Sequence, residues 1–150
     1  MSRWRGFDNP FGDIWTNLDG VIIQGYAESD GSYNYKNVYT TTSPIYYGDT
    51  IDYLSNMTIV GTEIHTEGYI LEFDLRNTAE IIPIKVGAST TTGKCDYHYT
   101  GSKNDSLRTL LVGGGAKHGG YSGPGCFLSH NGVGDAWHYF GFRMVKEIKD

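Results

Sequence analysis

The sequence predicts a β-rich α+β domain in which short helices surround a twisted antiparallel sheet with long ordered loops. Composition is one reason, because 21 Gly and 12 Tyr occur in 150 residues of which only 19% are charged, and glycine is costly inside regular helices. A second reason is a series of short apolar or alternating runs separated by Gly and Asn, which is typical of strands. No internal repeat or shift in composition divides the chain, and a chain of this length buries ~70% of its unfolded surface on folding. Residues 1–150 are therefore predicted to form a single domain.

The N-terminal part predicts a short amphipathic helix followed by a buried strand. Ile14, Trp15 and Leu18 give an apolar stripe at helical spacing. The polar residues just ahead of Pro10 can cap such a helix. Trp15 is expected in the core, since a short helix has to bury a side chain of that size. The apolar run at residues 21–23 is predicted to be a buried strand.

The segment from residue 26 to residue 50 is rich in Tyr, Ser, Thr, Asn and Gly and shows little periodicity. Disordered segments are poor in aromatic residues, so its many tyrosines predict an ordered structure. We expect a long ordered loop or a hairpin insertion here, followed by a helical turn at residues 48–54.

The remainder of the chain before the Gly-rich stretch has the pattern of β-strands, and one more strand closes the domain. The predicted strands cover residues 57–61, 65–75, 79–87, 95–100, 107–112 and 141–145. Pro83 cannot donate a ladder hydrogen bond, so it is expected in a loop or at an edge of the sheet. The strand at 107–112 is expected to be buried and to lead into the Gly-rich stretch.

The stretch from Gly113 to Arg143 interleaves glycines with large and chemically mixed side chains. Glycine permits tight turns and close approach of the backbone, and Tyr, Trp, Ser, Asn and Gly are the residues that binding loops use for contact. A flexible linker would not carry Trp, Phe and several Tyr. The stretch is therefore predicted to be a turn-rich binding surface, with Trp137 and Tyr139 among its aromatic contacts.

The charge balance argues against nucleic acid as a partner. The formal net charge is −5, whereas binding to nucleic acid begins with neutralisation of phosphates. No apolar run reaches the ~20 residues of a membrane-spanning helix, and the N-terminus lacks the apolar core of a signal peptide. Membrane insertion is therefore not expected.

Catalysis and metal binding are not expected either. The five histidines show none of the spacings of metal-binding motifs, and the clustered carboxylates and amides of a calcium site are missing from the sequence. Cys95 and Cys126 could form one disulfide or remain two thiols. We predict no catalytic residue, no metal and no cofactor, and expect that the chain is not an enzyme.

Three blocks of the sequence resemble one known fold. FGDIWTNLDG at residues 11–20, RTLLVGGGA at 108–116 and GFR at 141–143 resemble conserved segments of the formylglycine-generating-enzyme branch of the C-type-lectin-like fold. Their order and spacing cover most of the chain. The resemblance implies a C-type-lectin-like fold for the domain.

A closer likeness is to the variable proteins of diversity-generating retroelements, a family that includes the phage major tropism determinant. PIKVGASTTTGKCDYHY and the Gly-rich stretch resemble that family's fixed block and the variable region that follows it, here at about residues 113–143. In the family, mutagenic reverse transcription at template adenines changes Asn-type codons, while fixed Gly, Ser and Ala preserve the fold. The resemblance assigns the variable, ligand-binding positions to Lys117, His118, Tyr121, Cys126, Leu128, His130, Asn131, Asp135, Trp137, His138 and Tyr139. Lys117 and Trp137 require a template codon other than AAC or AAT.

What the resemblance implies is a ligand- or receptor-binding domain of a phage tail-fibre protein or a bacterial surface protein. It would be located on the virion, at the bacterial cell surface or outside the cell. Its partner would be a protein or glycan on a host or bacterial cell surface, and a homotrimer of the full-length protein would raise its avidity. Two alternatives remain: an oxidase-like enzyme of the formylglycine-generating type, and a purely structural decoration domain of a virion.

Overall fold

A computed structural model describes residues 3–4, 7–8, 14–26, 29–32, 34–75, 81–91, 96–101, 106–138 and 140–141. The described chain is mostly β-sheet with a few short helices. The strands are β1 (Arg3–Trp4), β2 (Phe7–Asp8), β3 (Trp15–Gly25), β4 (Tyr35–Thr40), β5 (Thr58–Ile64), β6 (Gly68–Leu75), β7 (Ile81–Val86), β8 (Tyr97–Tyr99), β9 (Leu107–Val112), β10 (Phe127–Leu128) and β11 (Phe140–Gly141). Three 3₁₀ helices cover Pro44–Tyr46, Ile51–Asn56 and Ala116–Tyr121.

One sheet organises the domain and is nearly closed. Its strands lie in the order β5-β4-β3-β9-β10-β8-β6-β7, and β11 pairs with β3 outside that order. Most neighbours are antiparallel, but β10 pairs with β8, and β11 with β3, in parallel. Strands β7 and β5, at the two ends of the order, lie against each other. A separate two-stranded ribbon is formed by β1 and β2.

The sheet has an apolar cluster on each of its two faces, because side chains alternate along a strand. The inner face, enclosed by the nearly closed sheet, is built from Ile23, Val38, Ile70, Ile82, Leu110 and Phe127. The outer face is built from Trp15, Leu111, Cys126 and Leu128, with Tyr97, Tyr99 and Phe140 packed against them. Neighbouring residues therefore serve different clusters, as Leu110 and Leu111 do on β9.

The helix predicted around Ile14, Trp15 and Leu18 is wrong, because residues 15–25 form the long strand β3. Pairing with β4 on one side and β9 on the other satisfies its backbone. A helix that contains this apolar stripe and ends near Gly20 would be short. So short a helix is not stable enough to compete with pairing to two neighbouring strands. The expected burial of Trp15 is confirmed, and the strand predicted at residues 21–23 is part of β3, where residues 22 and 23 are fully buried and Val21 is half-buried.

Several of the other predicted elements are confirmed. The tyrosine-rich segment contributes β4 and its hairpin with β3, and a 3₁₀ helix covers Ile51–Asn56 near the predicted helical turn. Pro83 lies in β7, the last strand in the sheet order, where the pairing with β6 is irregular. The strand predicted at 141–145 begins one residue early, at Phe140, and its continuation after residue 141 lies outside the described residues.

Among the described residues, no helix has the length and apolar character needed to cross a lipid bilayer.

Candidate ligand-binding face

The Gly-rich stretch folds over the outer face of the sheet. It leaves β9 at Gly113, whose backbone amide donates to the carbonyl of Cys126. A Cβ placed on Gly115 would lie 3.4 Å from the Trp15 ring, and the ring centroids of Trp15 and His118 are 5.6 Å apart. At Gly115 the backbone therefore lies directly on the outer cluster.

Hydrogen bonds to the backbone hold the stretch in place. The Ser122 hydroxyl donates to the carbonyl of Gly115 over 3.0 Å. The Cys126 thiol lies 3.2 Å from the carbonyl of Tyr97 and 3.1 Å from the carbonyl of Tyr121. These contacts join two turns of the stretch to each other and to β8, which gives the loops a defined shape.

Asp96 supports the turn that contains Gly123 and Gly125. A Cβ on Gly123 would overlap Asp96 Oδ1, and a Cβ on Gly125 would lie 2.9 Å from Asp96 Oδ2. Burial raises the pKa of the Asp96 carboxyl, while a hydrogen bond from the Gly125 backbone lowers it.

The structure removes Cys126 from the set of predicted contact residues. Its side chain is 0% exposed, and burial raises the pKa of its thiol to about 12. A buried thiol that stays protonated is neither a surface contact nor a nucleophile. Its partner in the postulated cysteine pair, Cys95, lies outside the described residues.

Leu128 and Asn131 are corrected for the same reason. Leu128 is 4% exposed and packs in the outer cluster, and Asn131 is 8% exposed. The Asn131 carbonyl accepts from the backbone amide of Thr109, and its side chain donates to Asp135. Both residues hold the loop against the sheet, so neither presents a side chain to a ligand.

The remaining predicted positions divide by exposure. Five are exposed: Lys117, Tyr121, Asp135, Trp137 and His138. His118 and His130 are half-buried, and burial lowers the pKa of both rings, with the neighbouring Lys117 lowering that of His118 further. Tyr139 lies outside the described residues.

Tyr121 belongs to an aromatic cluster that sequence reasoning missed, which we name the tyrosine patch (Tyr69, Tyr97, Tyr99 and Tyr121). The rings of Tyr69 and Tyr121 stack with centroids 5.4 Å apart, and Tyr97 meets both of them edge-on. Alternation in β8 places Tyr97 and Tyr99 on one face, which was the available signal. Pairing of Tyr69 with Tyr97 in the sheet depends on the tertiary fold.

The tyrosine patch is an uncharged surface. Burial, followed by the neighbouring Glu67 and Tyr121, raises the pKa of Tyr97, and burial is also the main reason that the pKa of Tyr99 rises to about 12. Both phenols therefore keep their protons at physiological pH. Aromatic rings with a polar edge are what interfaces favour as anchors.

Trp137 and Asp135 line a second feature, which we name the Trp137 pocket. It has a volume of about 170 Å³ and is lined chiefly by Asn17, Thr109, Val133, Asp135, Trp137 and Phe140. The Trp137 side chain is 52% exposed. Sequence reasoning missed Asn17 and Thr109, which come from β3 and β9, because the helix prediction for residues 14–18 concealed that these strands pair.

Beneath the segment 129–131 lies a buried polar cluster of Lys36, Glu63, His98 and Ser129, all at most 1% exposed. The Lys36 ammonium donates to the carbonyls of Thr100 and Ser129, at 2.5 and 3.1 Å. The Ser129 hydroxyl donates to Glu63 Oε1 over 2.5 Å. This cluster fixes the backbone immediately before His130 to the strands of the scaffold.

A cavity larger than the Trp137 pocket borders the Gly-rich stretch at Pro124, Gly125 and Cys126. It occupies about 360 Å³ beside the inner cluster, and Val38, Leu110 and Phe127 are among its lining residues. Thr40 provides its one polar side chain apart from the Cys126 thiol. No group of three or more His, Cys, Asp or Glu side chains among the described residues is arranged to hold a metal ion.

Comparison of this chain with models of protein families, with curated proteins and with solved structures finds no match.

Proposed function

We propose that this chain is a ligand- or receptor-binding domain with a C-type-lectin-like fold, belonging to a retroelement-diversified phage tail-fibre or bacterial surface protein. One observation carries the proposal. The Gly-rich stretch is held closely on the outer face by backbone contacts, yet Lys117, Tyr121, Asp135, Trp137 and His138 are exposed on it. A fixed backbone with mixed, outward side chains is what a diversified binding surface requires.

The proposed function is affinity and not chemistry. In the described part of the chain, the thiol is buried and protonated. The tyrosine patch and the exposed Trp137 instead supply a rigid aromatic surface. Trp and Tyr are enriched among the residues that dominate binding energy at interfaces. The oxidase-like alternative would need an accessible thiol, and Cys126 does not provide one.

The binding positions are revised to seven. They are Lys117, His118, Tyr121, His130, Asp135, Trp137 and His138, with Tyr139 retained as an expectation from the sequence. The partner is a protein or glycan on a host or bacterial cell. A single face of this kind binds weakly, and a homotrimer raises the avidity by effective concentration.

The experiment compares Trp137→Ala with Tyr35→Ala in binding to cells of the source community. Both aromatic side chains are exposed, 52% for Trp137 and 43% for Tyr35, but Tyr35 belongs to β4 and not to the Gly-rich stretch. We expect Trp137→Ala to lose at least tenfold in cell binding, as hot-spot truncations do, and Tyr35→Ala to bind like the wild type. Equal binding by all three folded proteins would instead support a structural decoration domain.

The diversification is tested separately by amplicon sequencing of the gene from its source population. We expect substitutions at exposed positions such as Lys117, Tyr121 and Asp135, matched to adenines in a nearby template copy. Cys126 and Leu128 should be unchanged, because both are buried. Variation spread evenly along the gene would refute the retroelement part of the proposal and leave the binding part standing.

A further inference from the structure

The Trp137 pocket combines an aromatic side chain with polar groups from the sheet beneath it. Asn17 and Thr109 line it from strands β3 and β9, and Asp135 and Trp137 line it from the Gly-rich stretch. Its volume of about 170 Å³ is below the ~300 Å³ at which pockets for drug-sized molecules begin. It suits a single compact ring.

Hydrogen bonds fix the orientation of the Asn17 amide. Its Oδ1 accepts from the Thr109 hydroxyl over 2.5 Å, and the Tyr47 hydroxyl lies 3.5 Å away. Because Oδ1 faces Thr109 and Tyr47, the Nδ2 group directs its two N–H donors away from these two hydroxyls. No partner for those donors is found among the described residues.

Asp135 provides the complementary acceptor. Its Oδ2 accepts from the backbone amide of Gly132 over 2.9 Å and from the Asn131 amide over 3.3 Å. These bonds hold the carboxylate in one orientation and leave Oδ1 without a hydrogen bond among the described residues. Asn17, Asp135 and Trp137 all line the pocket, so an amide donor and a carboxylate acceptor of fixed orientation lie beside an indole ring.

We propose that the Trp137 pocket binds one neutral pyranose ring of a glycan. Adjacent ring hydroxyls can each accept and donate, so one accepts from Asn17 Nδ2 while the next donates to Asp135 Oδ1. The apolar C–H face of the sugar packs on the half-exposed Trp137 ring. The inference rests on the proposed binding function and narrows its partner from a protein or glycan to a glycan.

The pocket also explains how a diversified face could keep a sugar-binding mode. Asn17 and Thr109 lie outside residues 113–143, so their donor and acceptor pattern would be the same in every variant. Asp135 and Trp137 lie inside that range and would vary. A site built to hydrogen-bond a hydroxyl discriminates strongly against a ligand that lacks it, so position 135 would select among sugars.

The test measures binding of methyl pyranosides of glucose, galactose, mannose and N-acetylglucosamine by ligand-observed NMR and titration calorimetry. Asn17→Asp keeps the oxygen that accepts from Thr109 but removes the N–H donors, and Asp135→Asn keeps one oxygen for Gly132. We expect at least one pyranoside to bind, with roughly tenfold weaker binding for each of these variants and no detectable binding for Trp137→Ala. Tyr35→Ala is the matched control and should bind like the wild type.

Each outcome decides a different point. Absence of binding for every pyranoside, while Trp137→Ala still reduces binding to cells, would overturn the sugar inference and leave the binding function intact. Pyranoside binding that is unchanged in Asn17→Asp and Asp135→Asn would also overturn it, because the sugar would then lie elsewhere. If Trp137→Ala affects neither cells nor sugars, the proposed function itself fails.

Discussion

The ammonium of Lys36 lies 3.9 Å from Glu63 Oε1 in the buried polar cluster, where neither side chain is more than 2% exposed. His98 Nε2 is 3.8 Å from the other oxygen of the same carboxylate. Taking charges out of water is costly even when they are paired. Burial of this cluster therefore costs free energy in a small domain. The cluster also contacts the backbone of Ser129, next to the proposed binding residue His130.

Lys36 should make the stability of the protein depend on pH. Burial lowers its pKa from 10.5 to about 8, against the opposing effect of Glu63. At a pH between these two pKa values, Lys36 is protonated in the unfolded chain but largely deprotonated in the folded chain. The free energy of unfolding therefore rises with pH in this range. We expect Lys36 to contribute a gain on the order of 1 kcal/mol from pH 8 to pH 9.5, measured by urea unfolding as the difference in pH slope between the wild type and a variant without this group.

Lys36→Met removes the titrating group, so its stability should rise less over the same pH range than that of the wild type. Lys85→Met is the matched control. Lys85 also pairs with a glutamate, at 2.9 Å from Glu72, but both side chains are more than half exposed, and such surface pairs contribute little. Equal pH slopes for wild type and Lys36→Met would contradict the assignment.

The Cys126 thiol should be inert in the folded protein. Its pKa of about 12 lies above the ordinary value of 9 because burial disfavours the thiolate. In a Cys95→Ser background, alkylation of Cys126 at pH 8 should be at least a hundredfold slower in the folded protein than in the protein unfolded by urea, since only the thiolate reacts. Comparable rates would show that the loop around Cys126 opens readily.

The same shift gives a pH dependence of opposite sign to that of Lys36. The folded pKa of Cys126 is raised, so its contribution to stability is fully present below pH 9 and is lost as pH rises towards 12. Cys126→Ala should remove this falling contribution, so that above pH 9 the free energy of unfolding of the variant changes more favourably with pH than that of the wild type. This is measured in the same urea titrations, and an unchanged pH dependence would refute it.

Gly123 should be required for close approach, whereas Gly120 should not. A Cβ on Gly123 would overlap the Asp96 carboxylate, while a Cβ on Gly120 meets nothing within 4 Å. We expect Gly123→Ala to lower the free energy of unfolding by about 1–3 kcal/mol, as overpacking does, and Gly120→Ala to leave it within about 0.5 kcal/mol. Equal stability of the two variants would show that Asp96 moves aside freely.

Leu128 and Lys117 should differ sharply in their tolerance of substitution, although the sequence pattern assigns both residues to the variable positions. Leu128 is 4% exposed in the outer cluster, so Leu128→Ala should cost about 2–4 kcal/mol through the cavity it leaves. Lys117 is exposed, so Lys117→Ala should change stability by less than about 0.5 kcal/mol. A Leu128→Ala variant as stable as the wild type would return this position to the binding face.

Local patterns predicted much of the sheet and the exposed part of the candidate site. The buried strand at 107–112 follows from its three Leu residues and one Val, and the exposure of Trp137 fits the Gly-rich context in which it stands. The pattern failed at residues 14–18, where three apolar residues fit a helix as well as a strand. Propensity over so short a window is a weak signal that tertiary pairing overrides.

Which residues share a site was decided by the tertiary structure. Nothing in the interleaving of glycines with large residues separates Leu128, which faces the outer cluster, from Tyr121, which faces solvent. Asn17 lies beside Thr109 in the Trp137 pocket only because β3 pairs with β9, and Lys36 lies opposite Glu63 only because β4 pairs with β5. Sequence by itself determined a Tyr- and Gly-rich β domain with a loop suited to binding, since composition and period are local properties. The tertiary structure decided which side chains line the surface, because that depends on strand register and on contacts between residues far apart in the chain.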